Sequence, residues 1–93
     1  MEPKTVNEAI ELILRHFPAK QVEDFRKMTK EAFLLNGHFG IGLWIRNNLI
    51  YPNRFREQLE ADINRDKVLH PDDYSEFILS KLWDRLQENS NGM

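Results

Sequence analysis

The sequence predicts a small all-α domain, and three observations lead to this fold class. Two segments repeat at offsets of 0, 3, 4, 7, 8 and 11, as on one helix face, and every position of the repeat except Ser75 is apolar. Asparagine, glycine and proline separate the helical segments, and only one short stretch alternates as a strand would. A chain of 93 residues suits one hydrophobic core, since two smaller cores would each be marginal. We therefore expect a compact single-domain bundle of four to five short helices over residues 1–88, with a disordered tail at residues 89–93.

The first and last helices have the clearest patterns. The first follows a capping box of Thr5 and Glu8, and Pro18 ends it near His16 or Phe17. Its apolar face is formed by Val6, Ala9, Ile10, Ile13, Leu14 and Phe17. The last helix begins at Pro71, a residue favoured in the first turn. Its inner face is formed by Ser75, Ile78, Leu79, Leu82, Trp83 and Leu86. Phe77 falls outside this face, so it either packs on a second neighbour or is exposed on a contact surface.

Two helical segments lie before and after the centre of the chain, and one boundary is ambiguous. Residues 19–35 have a helical apolar pattern that fits either one helix or two, with Thr29 as the cap of the second. Asn36-Gly37 is typical of a left-handed helix end. Residues 54–63 predict a short surface helix in which Arg56 and Glu60 have the spacing of an ion pair.

Residues 38–45 are the ambiguous segment, because apolar and other residues alternate there as in a strand. A strand needs a partner, and the only nearby candidate has three residues before Pro52 interrupts it. We therefore predict a buried helix from about Phe39 to Asn48. Gly40 and Gly42 would each cost this helix about 1 kcal/mol relative to alanine, so we expect another backbone or a ligand to approach them.

Composition excludes several classes of protein and site. The net charge of -2 favours neither nucleic acid nor an anionic membrane surface as a partner, because both would normally need clustered Lys and Arg and here both signs are interspersed. The absence of cysteine excludes disulfides and sulfur-based zinc sites. The first residues lead into a charged amphipathic segment, and no stretch of 18 apolar residues occurs, so we expect a cytoplasmic domain with no membrane attachment.

Two motifs resemble those of a family of uncharacterised small bacterial helical domains. The first is His38-Phe39-Gly40-Ile41-Gly42-Leu43-Trp44-Ile45-Arg46-Asn47-Asn48, and the second is His70-Pro71-Asp72-Asp73-Tyr74-Ser75. The resemblance covers roughly Asn36 to Leu86, and it departs from the family pattern at Leu49-Ile50-Tyr51-Pro52. It implies a helical fold and a site near the two motifs, and it brings no reaction, cofactor or partner.

The polar residues of these motifs are the candidate ligand-binding residues. They are His38, Arg46, Asn47, Asn48, His70, Asp72 and Asp73. The favoured interpretation of Arg46 is an internal ion pair with Asp72 or Asp73, since a guanidinium pairs bidentately with a carboxylate. The alternative is a polar cleft in which Arg46 and the two asparagines hold an external anion or an acidic side chain.

No motif in the sequence specifies catalysis. The histidines His16, His38 and His70 lack metal-ligand spacing, so we expect no metal and no cofactor. Trp44 and Trp83 lie among apolar residues, which favours core packing. A small helical domain without catalytic motifs more often binds than catalyses, so the sequence predicts an interaction or structural module for another protein or a second copy. Phe77 and Tyr51 are candidates for its surface, and a small-ligand site or minor enzyme is the alternative.

Overall fold

The computed structural model describes residues 2–37, 40–65 and 71–91, with only the backbone described at 71, 72 and 89–91. The helices are α1 (Val6–His16), α2 (Ala19–Lys27), α3 (Lys30–Gly37), α4 (Ile41–Ile45), a π-helical segment (Arg46–Ile50), α5 (Arg56–Ile63) and α6 (Pro71–Asn91). No strand occurs among the described residues. The predicted all-α class is confirmed, and the described residues form six α-helices instead of four or five because residues 19–37 form two.

The helix boundaries follow from local capping. The Thr5 hydroxyl accepts a hydrogen bond from the Glu8 amide at 3.1 Å, which is one half of the predicted capping box, while the Glu8 carboxylate accepts from the Lys4 amide at 2.8 Å. Thr29 caps α3 in the same way, with its hydroxyl 3.1 Å from the Ala32 amide nitrogen. Met28, between α2 and α3, has an extended backbone with φ of -74° and ψ of 154°. Two helices, not one, therefore cover residues 19–37.

The core surrounds α6, which contacts α1, α2, α3, α4 and α5. Its buried apolar residues are Val6, Ala9, Ile10, Ile13, Phe25, Phe33, Ile41, Ile45, Leu49, Ile50, Leu59, Ile63, Tyr74, Ile78, Leu79, Leu82 and Leu86. Removing this apolar surface from water is the main favourable contribution to folding. The two predicted stripes on α1 and α6 supply about half of the set. Phe77 packs against this core while remaining half-buried.

Gly42 allows α4 to lie close to its neighbours. A β-carbon at this position would be 3.0 Å from the Gly37 carbonyl oxygen and 3.5 Å from Leu79 Cδ1. The predicted close approach of another backbone is thus confirmed at Gly42. At Gly40 the nearest described atom to an added β-carbon is the Asn36 carbonyl oxygen at 3.9 Å, an ordinary van der Waals contact.

Gly37 ends α3 as predicted, but without the left-handed conformation. No described glycine has a positive φ. A β-carbon on Gly37 would instead meet Leu79 Cδ1 at 3.3 Å. Gly37 therefore allows α3 to pack closely against Leu79 of α6, and it does not adopt the left-handed conformation of a helix cap.

The ambiguous segment is helical where the structure describes it. α4 begins at Ile41 and continues into the π-helical segment, which ends at Ile50, two residues beyond the predicted end. Phe39 lies outside the described residues. The backbone amide of Tyr51 donates to the Arg46 carbonyl at 2.9 Å, the five-residue hydrogen bond that defines a π-helix.

Asn53 fixes the start of α5, which begins at Arg56, two residues later than predicted. The buried Asn53 side chain accepts from the Phe55 amide at 2.8 Å. It donates to the carbonyls of Pro3 at 2.7 Å and Leu49 at 2.9 Å. The predicted ion pair of Arg56 with Glu60 is confirmed, with Nε and Oε2 2.6 Å apart.

The C-terminal helix is longer than the sequence pattern indicated. α6 runs to Asn91, so its backbone is helical at residues 89–91, within the segment for which we predicted a disordered tail. The division into a domain at residues 1–88 and a tail at 89–93 stays a prediction.

Candidate functional site

Arg46 stands at the junction of α4 and the π-helical segment and is directed towards α6. Its Nη1 donates to the hydroxyl of the buried Ser75 at 2.9 Å. The same nitrogen would be 3.6 Å from a β-carbon on Gly42. Asp73 is exposed and has no described bond to Arg46, and the side chain of Asp72 lies outside the described residues. Among the described side chains, the partner of Arg46 is therefore a neutral hydroxyl.

The two asparagines of the motif have different surroundings. The Asn48 amide donates to the Trp44 carbonyl at 2.9 Å, one helical turn back. Asn48 also faces α1, where it lines a groove. Asn47 is exposed and lines no groove among those found in the described part of the chain. Arg46 faces α6 while Asn48 faces α1, so the structure does not bring them into one cleft.

The two motif histidines, His38 and His70, lie outside the described residues. Seven polar residues of the two motifs were candidates for one ligand-binding site. The structure describes the side chains of only four of them: Arg46, Asn47, Asn48 and Asp73. Among these four, the side chains do not meet at one site.

The groove beside Asn48 lies between α1 and the segment containing Trp44. It has a volume of about 290 Å³ and is lined by Leu12, Arg15, His16, Trp44, Asn48 and Leu49. We call it the Trp44 groove. Three apolar side chains form its floor, and three polar side chains form its rim. Apolar walls with a few polar groups are typical of binding sites.

Trp44 is held in place by other aromatic rings. Its indole stacks on the His16 imidazole, with ring centroids 4.4 Å apart and an angle of 25° between the planes. Phe17 contacts the indole edge-on at 5.7 Å, and Phe17 in turn contacts Phe25 at 5.8 Å. Such contacts contribute about 0.5–1.5 kcal/mol each beyond simple burial. Trp44 is therefore fixed to the core while part of its ring remains at the surface.

Trp83 is the second half-buried tryptophan, and it has a structural role. Its indole nitrogen donates to the Met28 carbonyl at 3.0 Å, at the break between α2 and α3. The Lys30 ammonium lies 5.7 Å from the Trp83 ring. We predicted core packing for both tryptophans. This role accounts for the contacts of Trp83, whereas Trp44 also lines a surface groove.

Arg15 differs from the other arginines in its partners. The chain has seven arginines, of which five form ion pairs: Arg26, Arg54, Arg56, Arg65 and Arg85. Arg46 bonds to Ser75. Arg15 is exposed and has no partner among the described side chains. A guanidinium on the rim of a groove is thus available to an external group.

A family model described as a domain of unknown function, DUF6794, matches residues 2–86. The chain belongs to this family. The match extends further than the resemblance in the two motifs, since it includes α1 and α2 and so takes in all six residues of the Trp44 groove. No curated protein and no solved structure matched the DUF6794 chain.

The DUF6794 domain has a second, larger groove between α1, α5 and α6, with a volume of about 920 Å³. Its lining includes Phe77, but also the acidic Asp62 and Asp84 and the basic Arg65 and Arg85. Arg85 is already paired with Glu11 on α1. Charges of both signs, partly paired internally, give this groove no preference for one class of ligand.

The described residues of the DUF6794 domain hold no group of three His, Asp or Glu side chains placed to bind a metal ion. Within the same residues, no helix has the length and apolar character needed to cross a bilayer. The site with the most distinctive chemistry is the Trp44 groove. Sequence reasoning missed its α1 side because Leu12, Arg15 and His16 were treated as parts of a helix that packs on the core. The four-residue spacing of Trp44 and Asn48 places both on one helix face, but it does not reveal that α1 lies beside them.

Proposed function

We propose that this domain is a protein-interaction module whose binding surface is the Trp44 groove. The observation that carries the proposal is the half-buried indole of Trp44, held by the stacked His16 ring at the wall of a surface groove. Interface hot spots are enriched in tryptophan and arginine, and they lie in well-packed pockets. Trp44 and Arg15 provide both residue types within one groove.

The size of the groove favours a short protein segment as the occupant. A volume of about 290 Å³ lies at the lower end for small-molecule pockets, yet it accommodates one or two apolar side chains of a peptide. The fixed aromatic wall lowers the entropy cost of binding, because Trp44 is already ordered. The domain therefore presents a prepared surface for an anchoring side chain.

The first experiment selects binding peptides and then tests them on two matched variants. Random peptides would be selected by phage display against the folded domain, and their affinities measured by calorimetry. We expect Asn48→Glu to weaken the selected peptides at least tenfold, because it adds a charge inside the groove. Asn47→Glu is the control, since Asn47 is exposed on the same segment without lining a groove.

Two outcomes would contradict the proposal. One is that no peptide is selected and sedimentation shows a monomer. The other is that selected peptides bind both variants as tightly as the original domain. If Asn48→Glu instead abolishes self-association of the domain, the occupant of the groove is a second copy of the chain. The cytoplasmic location and the bacterial origin stay predictions of the sequence.

A second candidate function is anion binding at Arg46. The observation that favours it is a half-buried guanidinium whose described hydrogen bond, to Ser75, uses only one of its five donors. Titration with inorganic phosphate, followed through the Arg46 side-chain nuclear magnetic resonance signal, tests this function. An unchanged signal at millimolar phosphate would exclude it, and Arg46→Met is the control for binding elsewhere.

A further inference from the structure

The rim of the Trp44 groove has a positive charge that no described carboxylate pairs with. Arg15 lines the groove, is exposed and has no described ion pair. The described lining contains no carboxylate. Any occupant of the groove therefore encounters an unpaired guanidinium next to the apolar floor.

The carboxylates of α1 are bound elsewhere, which keeps this charge uncompensated. Glu8 accepts a hydrogen bond from the Lys4 amide at 2.8 Å. Glu11 pairs with Arg85 on α6. Neither side chain turns towards Arg15, although Glu11 is only four residues away on the same helix and helical pairs of this spacing are common. The fold therefore leaves Arg15 for a group outside the chain.

We propose that the partner segment has a carboxylate directly beside an apolar side chain. The apolar side chain would lie on Leu12, Trp44 and Leu49, and the carboxylate would accept hydrogen bonds from the Arg15 guanidinium. Bidentate pairing of this kind adds both affinity and orientation. This inference rests on the proposed function, because it names the chemistry of the partner in the same groove.

Nucleotides are a different class of ligand that also combine a ring with negative charge. A nucleobase needs an open aromatic face on which to stack. One face of the Trp44 indole is covered by the His16 ring at 4.4 Å, and Phe17 contacts it edge-on. The net charge of -2 also opposes a polyanion. The observations thus favour an acidic peptide over a nucleic acid.

The test uses three small probes on the isotope-labelled full chain. The probes are 3-phenylpropionate, its uncharged amide 3-phenylpropanamide, and adenosine monophosphate. Backbone amide shifts locate each probe and give its dissociation constant. We expect 3-phenylpropionate to shift Arg15, His16 and Asn48, and to bind about three- to tenfold more tightly than the amide, as for a partly exposed charged hydrogen bond.

Variants identify the residue responsible for this preference. Arg15→Gln should reduce the ratio of the two affinities to about one, because 3-phenylpropionate loses its charged hydrogen-bond donor. Arg65→Gln is the matched control, because Arg65 is exposed, weakly paired with Asp62 at 3.8 Å and remote from the groove. It should leave the ratio unchanged. High salt should also lower the ratio, since it screens an exposed charge.

Each other result overturns the inference in a distinct way. Equal affinities of 3-phenylpropionate and 3-phenylpropanamide for the groove would show that the partner needs no carboxylate. The groove would still be an interaction site. Retention of the preference in Arg15→Gln would exclude Arg15 as its cause. Tighter binding of adenosine monophosphate than of 3-phenylpropionate would favour nucleotides. Failure of both phenyl probes, together with selection against the groove of peptides that contain no acidic residue, would overturn the carboxylate inference alone.

Discussion

Two glycines set the distance between helices at the centre of the molecule. Gly42 lies against the backbone carbonyl of Gly37, and Gly37 lies against the end of the Leu79 side chain. A carbonyl oxygen held in a helix cannot move aside, whereas a leucine methyl group can change position at small cost. The two glycines should therefore differ in their tolerance of a β-carbon.

We predict that Gly42→Ala lowers the free energy of unfolding by about 1–3 kcal/mol, as for other overpacked sites. The loss should occur although alanine favours the helix by about 1 kcal/mol. Gly37→Ala should cost less than about 1 kcal/mol, because Leu79 can adjust. Urea denaturation of both variants measures the difference. Equal losses would show that the 3.0 Å contact with the Gly37 carbonyl does not limit the packing.

Substitution of Arg46 tests whether its guanidinium pairs with a carboxylate inside the domain or is available to an external group. Its described partner is the Ser75 hydroxyl, so removing the guanidinium leaves no described carboxylate buried without a partner. We predict that Arg46→Met lowers the free energy of unfolding by only about 0.5–1.5 kcal/mol. Thermal and urea denaturation provide the measurement. A loss of about 3–5 kcal/mol would instead indicate a broken buried ion pair and would contradict this geometry.

At the scale of elements, the sequence was sufficient to predict a helix end wherever a single residue determines that end. Thr5 and Pro18 fixed the ends of α1, and Pro71 fixed the start of α6. The π-helical segment could not be foreseen, because its five-residue hydrogen bond depends on how Ile45, Leu49 and Ile50 pack in the core. Periodicity reports an average helical pitch and does not reveal a local change in it.

The cap at the start of α3 provides a prediction about the stability of that helix. Replacing Thr29 by alanine removes the hydroxyl that accepts the Ala32 amide. We predict a loss of about 1 kcal/mol in the free energy of unfolding, the usual contribution of such a cap. Thr29→Ser is the control and should retain most of the stability. If both variants lose the same amount, the methyl group and not the hydroxyl supports the break.

At the scale of the molecule, α6 is the element on which every other α-helix packs. Its apolar stripe was visible in the sequence, and so were the helical class and the approach of the glycine-containing segment to α6. The Trp44 groove was not predicted, because it depends on which end of α1 lies beside Trp44. That arrangement follows from tertiary packing, and no spacing within one segment encodes it. Asn48 was identified, whereas its neighbours Arg15 and His16 were not.

Surface ion pairs also connect the stability of the whole molecule to pH. The Arg26 guanidinium bonds to the Glu23 carboxylate and lowers the pKa of that carboxyl from its ordinary value. Arg54 lowers the pKa of Glu2 in the same way. A lowered pKa in the folded state means that the stabilisation is present above the unfolded pKa and is lost as pH falls through the folded pKa.

Glu23→Gln isolates one of these contributions. We predict that this variant unfolds at a slightly lower temperature than the original chain at pH 7, and that the difference disappears as the pH falls through the lowered pKa of the Glu23 carboxyl, below which that carboxyl is protonated in both states. The difference should be small, because both side chains are partly exposed and screened by solvent. Thermal unfolding followed by circular dichroism at several pH values provides the measurement.

Glu76→Gln is the control, since Glu76 is exposed on α6 without a described partner. A difference for Glu23→Gln that grows as the pH falls would contradict the sign of the linkage, and it would mean that the Arg26 pair does not stabilise the folded chain.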